Sequence, residues 1–298
     1  MIKRTLYFGN PAYLRTVNEQ LVIENRETGE LMQIPIEDIG LVVLDHQQIT
    51  LTQVLISKLL ANNTALVACN ETHHPVGLML NLDGNNLQSQ RFKAQIEASV
   101  PLKKQLWQQT VIQKIYNQAV GLTKQTADAK LLFKLAKEVK SGDSENHEAQ
   151  AAAYYWKHIF PEYLQFQRDR FGAPPNNLLN YGYAILRAMV ARSLVGSGLL
   201  PTLGIHHRNQ YNSYCLADDI MEPYRPYVDQ VVCGIIRQNG KFLDMRPSMK
   251  VELLKIPQID VKINGQKSPM FAAVQRTTAS LSRCFEGSAK KILYPEME

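Results

Sequence analysis

Glutamate, histidine and aspartate recur in three stretches of this sequence at spacings that could hold a divalent cation. The first, Asp143-Ser-Glu-Asn-His-Glu148-Ala-Gln-Ala-Ala-Ala, sets Glu148 before a run of alanines. Small residues let neighbouring helices pack closely, so Glu148 would face a tight interior. A first-turn glutamate is also favoured by the helix dipole with no ligand at all. The second stretch is Gly204-Ile-His206-His207, where either imidazole could be a ligand, a surface group or a satisfied core histidine. The third is Leu216-Ala-Asp218-Asp219-Ile-Met-Glu222-Pro-Tyr-Arg225-Pro-Tyr-Val-Asp229. On a helix, Asp218 and Asp219 both fall on the face of Glu222, and their repulsion, roughly a few tenths of a kcal/mol, is relieved by a bound cation. Arg225 is spaced to reach Glu222 or Asp229. Pro223 stands where the helix should continue, removes a hydrogen bond and frees the Asp219 carbonyl. An ion-paired surface helix would carry the same charges, but not the flanking Ile220 and Met221 or the proline.

A carboxylate–imidazole–carboxylate set suits a divalent ion acting on phosphodiesters. Oxygen donors favour Mg2+, and an imidazole shifts the preference toward Mn2+. The distribution of charge suggests the polyanion. Residues 1–80 carry 5 Lys/Arg against 8 Asp/Glu, whereas residues 81–298 carry 28 against 19. The whole positive excess behind the net charge of +6 therefore lies in the larger C-terminal part, as expected of a nucleic-acid surface or of a merely basic, solvated one.

The elements that must position these groups divide the chain in two. Short β-branched or aromatic runs predict strands at Thr5–Phe8, Tyr13–Val17, Gln20–Glu24, Leu31–Ile36, Thr64–Cys69 and Val76–Leu80, with a hairpin turn at Asn25–Gly29. Gly40–Leu44 is continuously apolar and reads as a strand buried on both faces. One helix fits Thr52–Ala61. Beyond the turn-forming Asp83-Gly-Asn-Asn86 the period becomes helical, over Leu102–Leu122, Ala127–Val139, Glu148–Phe160, Leu178–Val195, Leu216–Val232 and Thr277–Phe285. The expectation is an α+β protein: an N-terminal β-sandwich over residues 1–83, then a larger all-α catalytic and DNA-binding domain over residues 84–298.

Composition excludes several classes. With 45% hydrophobic and 20% charged residues among 298, the chain is neither disordered nor fibrous. It has no apolar run long enough to span a bilayer, so no membrane partner is expected. Met1-Ile-Lys-Arg-Thr5 runs into a strand pattern with no secretory h-region. Four scattered cysteines without a CxxC argue against a structural zinc site or a disulfide framework and fit a reducing cytoplasm.

Asn146-His-Glu148-Ala-Gln-Ala-Ala, Leu178-Leu-Asn-Tyr-Gly-Tyr-Ala-Ile-Leu-Arg187, Leu203-Gly-Ile-His-His207 and Leu216–Pro226 resemble the universal CRISPR-associated endonuclease/integrase of spacer acquisition, in its type II form. Ile34-Pro-Ile-Glu-Asp-Ile39, Ile49-Thr-Leu-Thr52 and Gln275-Arg-Thr-Thr-Ala-Ser-Leu281 extend the resemblance over essentially the whole chain. It implies a catalytic, metal-binding triad. The glutamate of Asn-x-Glu-Ala falls on Glu148, and the histidine of Gly-x-x-His on His207, with His206 an extra neighbour. The third ligand falls on Glu222, where many relatives have aspartate, with Asp219 beside it as the competing position. The resemblance also implies a homodimer formed through the β-sandwich. Two such dimers would be bridged by a small ferredoxin-like adaptation protein into a heterohexamer, with the type II effector nuclease as a further partner.

The expected activity is a Mg2+- or Mn2+-dependent DNA integration. A 3′-hydroxyl of a short foreign double-stranded DNA would attack a phosphodiester at a CRISPR repeat border, with no covalent protein–DNA intermediate. Two rivals are a nuclease for branched repair intermediates and a DNA-binding scaffold without catalysis.

Overall fold

Residues 3–26, 28–163 and 166–298 are described by the computed structural model. Met1, Ile2 and, within the expected hairpin turn, Glu27 lie outside them. The period-two segments become strands β1 (Arg4–Phe8), β2 (Ala12–Val17), β3 (Gln20–Asn25), β4 (Leu31–Pro35), β5 (Ile39–Leu44) and β6 (Ile49–Leu51). Helix α1 (Gln53–Ala61) and strands β7 (Ala65–Cys69) and β8 (Pro75–Met79) follow. Thr52 starts α1 by accepting the Leu55 N–H on its side chain, a common N-cap.

These strands form two sheets. One has the order β1-β5-β7-β8, with β5 parallel to β1 and β7, and β8 antiparallel to β7. The other is β4-β3-β2-β6, an antiparallel meander with β6 parallel to β2. Leu14, Leu21 and Ile34 of the second sheet meet Val42 and Leu66 of the first, and Leu55 and Leu59 of α1 close that core. On the other face of the first sheet, Leu41, Val43, Ala65 and Val67 join the core of the helical lobe. Strand β5 is thus buried on both sides, and its alternate residues belong to different cores, which is why it has no polar position to spare.

The helical lobe comprises α2 (Gln88–Ile96), α3 (Val100–Lys124), α4 (Lys130–Glu138), α5 (His147–His158), α6 (Asn176–Gly196), α7 (Cys215–Met221), α8 (Arg225–Asn239), α9 (Pro247–Leu254) and α10 (Met270–Phe285). Helix α3 runs 25 residues and buries Leu106, Trp107, Val111, Ile115 and Leu122. Its neighbours α5, α7 and α8 carry the acidic stretches. The predicted helix over Leu216–Val232 is two helices, α7 and α8, joined by a 3-10 turn at Glu222–Tyr224. Pro223 cannot donate to the preceding turn, while Pro226 lies in the first turn of α8, where no donor is needed.

The lobe also contains a small sheet that periodicity did not predict: β9 (Asp260–Ile263), β10 (Gln266–Pro269) and β11 (Pro295–Glu296), in the order β10-β9-β11. Its strands are too short and polar to stand out from turns. At the seam between the two parts, Asp45 is fully buried and accepts from Tyr7 Oη at 2.6 Å and Lys250 Nζ at 2.9 Å, with His73 Nδ1 also at 2.9 Å. The motifs around Thr52 and Thr278 serve packing. Thr278 Oγ1 donates to the Ser193 carbonyl at 3.1 Å, tying α10 to α6. No helix of the described residues is long and apolar enough to cross a membrane.

Candidate active site

Glu148 is placed by an aspartate five residues before it. Asp143 adopts a left-handed backbone (φ 52°) and turns its carboxylate onto the first turn of α5. It accepts the N–H of His147 at 2.9 Å and of Glu148 at 3.0 Å. Those donors would otherwise be unpaired at the helix start. So held, Glu148 points at α3, where Lys114 Nζ lies 2.6 Å from its Oε1. The 3-10 turn brings Glu222 to the same cation, with Oε2 also 2.6 Å from Lys114 Nζ and Oε1 2.9 Å from Arg225 Nε.

Glu222 is 4% exposed and Lys114 9%. Burial pushes the Glu222 carboxyl up, but the charges of Arg225 and Lys114 outweigh it and hold it below the usual carboxylate range. Burial likewise works against the Lys114 ammonium, and Glu222 and Glu148 more than reverse that. Glu222 Oε2 and Arg225 Nε are buried without an aligned hydrogen bond, so charge alone holds them. A buried carboxylate oxygen lacking a directional donor, beside a second carboxylate aimed at the same point, is a donor set fit for a hard divalent cation.

His207 is fixed by the neighbouring acid. Asp219 is 0% exposed and accepts N–H groups from Ile205 at 2.7 Å, His206 at 3.0 Å and His207 at 3.2 Å. Its Oδ1 also lies 2.5 Å from His207 Nδ1. Four partners use up the lone pairs of one carboxylate. With both oxygens engaged, Asp219 orients His207 through Nδ1, and Nε2 is the ring nitrogen that this contact leaves unused. The hydrogen bond from Asp219 raises the His207 pKa, burial opposes it, and the charges of Asp219, Glu222 and Glu148 add to the rise.

Gly204 is needed where this loop closes. A Cβ there would come within 2.4 Å of the His207 carbonyl oxygen and 2.7 Å of Asp219 Oδ2. His206 lies flat on buried Trp107, ring centroids 4.1 Å apart, and burial lowers its pKa.

The sequence-predicted residues thus meet in part. Glu148 and Glu222 converge on one point, with His207 beside them carrying its own aspartate. Among the described residues no three His, Cys, Asp or Glu side chains stand gathered as a metal cluster, and Lys114 is the group between the glutamates. Asp218 turns away, pairing with Arg187 Nε at 2.6 Å and Asn212 Nδ2 at 2.8 Å. Arg225 takes Glu222 and lies over the Tyr183 ring at 4.6 Å. Asp229 instead accepts Tyr155 Oη at 2.8 Å and Tyr183 Oη at 2.5 Å, and burial pushes its carboxyl up to about 6.

Sequence reasoning missed Lys114, Trp107 and the capping role of Asp143. A signal existed for Lys114. Thr110, Lys114, Asn117 and Gln118 put polar side chains on the buried face of α3, where the helical period calls for apolar ones.

Arg187 and Arg225 also line a cavity of about 450 Å³ with Arg168 and Arg170, the exposed Phe171, and Asn70 from the β7–β8 hairpin. Arg187 and Arg225 have carboxylate partners, whereas Arg168 donates to the Asn176 and Asn180 side-chain oxygens at 3.0 and 2.7 Å. The cavity keeps a positive excess beside the acidic pair, as a phosphate-bearing ligand requires.

Comparison with known proteins adds to this geometry. A protein-family model described as "CRISPR associated protein Cas1" matches residues 6–244. The chain is 37% identical over 300 residues to the CRISPR-associated endonuclease Cas1 of Neisseria meningitidis serogroup C (strain 8013), covering 100% of this chain and 97% of that relative. A solved structure of a casposase bound to integration product has the same fold (TM-score 0.82, 20% identity, 100% of this chain and 95% of that one). So does a chain of a Cas6-RT-Cas1–Cas2 complex (TM-score 0.78, 20% identity, 99% of this chain and 36% of that one).

Proposed function

Because this chain belongs to the CRISPR-associated Cas1 family, we propose that it is a metal-dependent DNA integrase with associated endonuclease activity, inserting short foreign DNA at a CRISPR repeat. The observation that carries the chemistry is the convergence of Glu148, from α5, and Glu222, from the 3-10 turn, on a single cation of α3, each at 2.6 Å. Glu148, Glu222 and His207 through Nε2 would hold Mg2+ or Mn2+. Once bound, the ion supplies charge stabilisation to the phosphate oxygens. Asp219 keeps the His207 ring in one orientation and one tautomer. The arginine cavity holds phosphates, and Arg225 spans from it to Glu222, so DNA is fixed with a 3′-hydroxyl in line with the target phosphorus. The hydroxyl oxygen forms the new P–O bond and loses its proton. The P–O bond to the old 3′ oxygen breaks, and that oxygen takes up a proton.

The fold relatives, a casposase bound to integration product and a chain of a Cas6-RT-Cas1–Cas2 complex, support DNA and a small Cas2-type protein as partners. Exposed Val54, Val76 and Met79 on the β-rich part are suited to pairing two copies of the chain.

Glu148→Gln, Glu222→Gln and His207→Ala should each lower strand transfer by about 100-fold or more while DNA affinity changes little, since ligands act on the transition state and affinity comes from distributed basic contacts. Chelator should abolish the wild-type activity. Folded Glu148→Gln protein integrating at the wild-type rate would overturn the assignment, and loss of DNA binding along with activity would favour a scaffold.

A further inference from the structure

Lys114 is not among the proposed ligands, yet it occupies the centre of the site. It lies on the buried face of α3 among Trp107, Val111 and Ile115. Burying an isolated ammonium costs several kcal/mol, so such a residue persists only if its charge is matched. Here it is matched twice, by Glu148 and Glu222, whose side chains are 22% and 6% exposed. The converse holds for the glutamates. Two carboxylates drawn to one point repel, and the second to ionise does so only if a cation stands between them.

A divalent ion would need the same oxygens, at about 2.0–2.5 Å. An ammonium and a divalent ion cannot share that space. We infer that Lys114 is a built-in counter-cation: it holds Glu148 and Glu222 together and must withdraw when a divalent ion takes their oxygens, so that metal affinity is set by competition with this one side chain. The flexible four-carbon stem allows the withdrawal, and its three donors are then free for a phosphate oxygen. Lys114 is thus a positioning residue for the acidic pair, and the inference rests on the metal-site reading above.

Mn2+ binding to the full-length protein, measured by titration calorimetry, tests it together with thermal melts in EDTA and in Mn2+. Lys114→Met and Lys114→Gln should bind Mn2+ at least about tenfold tighter than wild type, because a like charge is removed from beside the metal. In EDTA both should melt earlier than wild type, and Mn2+ should restore them. Lys114→Arg, which keeps the charge, should bind Mn2+ as weakly as wild type. Tighter binding and Mn2+ rescue in the two neutral variants support the inference. Unchanged or weaker Mn2+ affinity in both would overturn it. So would failure of both to fold even in Mn2+, since Lys114 would then support the fold in a way the ion cannot replace. Glu148→Gln and Glu222→Gln separate the two readings. If neither alters Mn2+ binding, the metal site itself is elsewhere; if both weaken it while the Lys114 variants leave it unchanged, only the role of Lys114 fails.

Discussion

Asp219 and Glu222 sit three residues apart with the same carboxylate, and their hydrogen-bond partners separate their roles. Asp219 spends both oxygens on three backbone N–H groups and on His207 Nδ1. Glu222 Oε2 meets only a lysine, without an aligned bond. Removing Asp219 strands several donors, at least one fully buried, at about 1–3 kcal/mol each. Asp219→Ala should therefore lower stability in EDTA by about 3 kcal/mol or more, which thermal denaturation would register as a loss of several degrees. Glu222→Gln keeps its shape but removes the countercharge of buried Lys114 and Arg225, so it too should melt below wild type, and it should lose Mn2+ affinity. If Asp219→Ala melts like wild type and loses Mn2+ binding outright, Asp219 is a ligand after all.

Among the elements, α5 depends on its start. The Asp143 carboxylate caps the N–H groups of His147 and Glu148, so the same bonds that begin the helix aim its glutamate. Asp143→Ala should cost about 1 kcal/mol of stability, the usual worth of such a cap. It should cut strand transfer by more than that loss alone would, because Glu148 is no longer held toward Lys114. Asp143→Asn, which can still accept one of the two bonds, should recover part of both. Chemical denaturation and a strand-transfer assay on the two variants check this, and equal activity in Asp143→Ala and wild type would show that the cap does not position Glu148. The break between α7 and α8 works the same way. Pro223 ends one helix so that Glu222 leaves its axis and reaches α3.

Over the whole molecule, charge is segregated: β-rich residues 1–80 are net acidic and the helical lobe holds the basic excess. Part of that excess gathers in the cavity formed by Arg168, Arg170, Arg187 and Arg225. Each phosphate neutralised on duplex DNA releases condensed counterions, contributing about −0.9 to the slope of log affinity against log salt. Wild-type protein should show a steep negative slope, and Arg168→Ala with Arg170→Ala should make it shallower by about 1–2. These two arginines are chosen because neither holds a carboxylate of the acidic pair. Fluorescence anisotropy across a salt series measures both slopes, and an unchanged slope in the double variant would remove the cavity from the DNA path.

The amino-acid sequence by itself determined the division into a strand-rich part and a helical part, the two-faced burial of β5 and the three acidic or imidazole stretches. Each of these is written in local order: period two or period three-to-four, or an apolar run without a polar gap. Only the tertiary structure decided which of these groups meet. Lys114 lies 34 residues before Glu148 in the chain, and their contact arises because α5 and the turn at Glu222 both pack against α3. The different surroundings of Asp219 and Glu222 arise in the same way, from the Gly204–His207 loop folding its N–H groups onto one carboxylate while the other faces Lys114 and Arg225. Periodicity states which side of an element is buried, whereas the partner found there depends on the packing of elements distant in sequence.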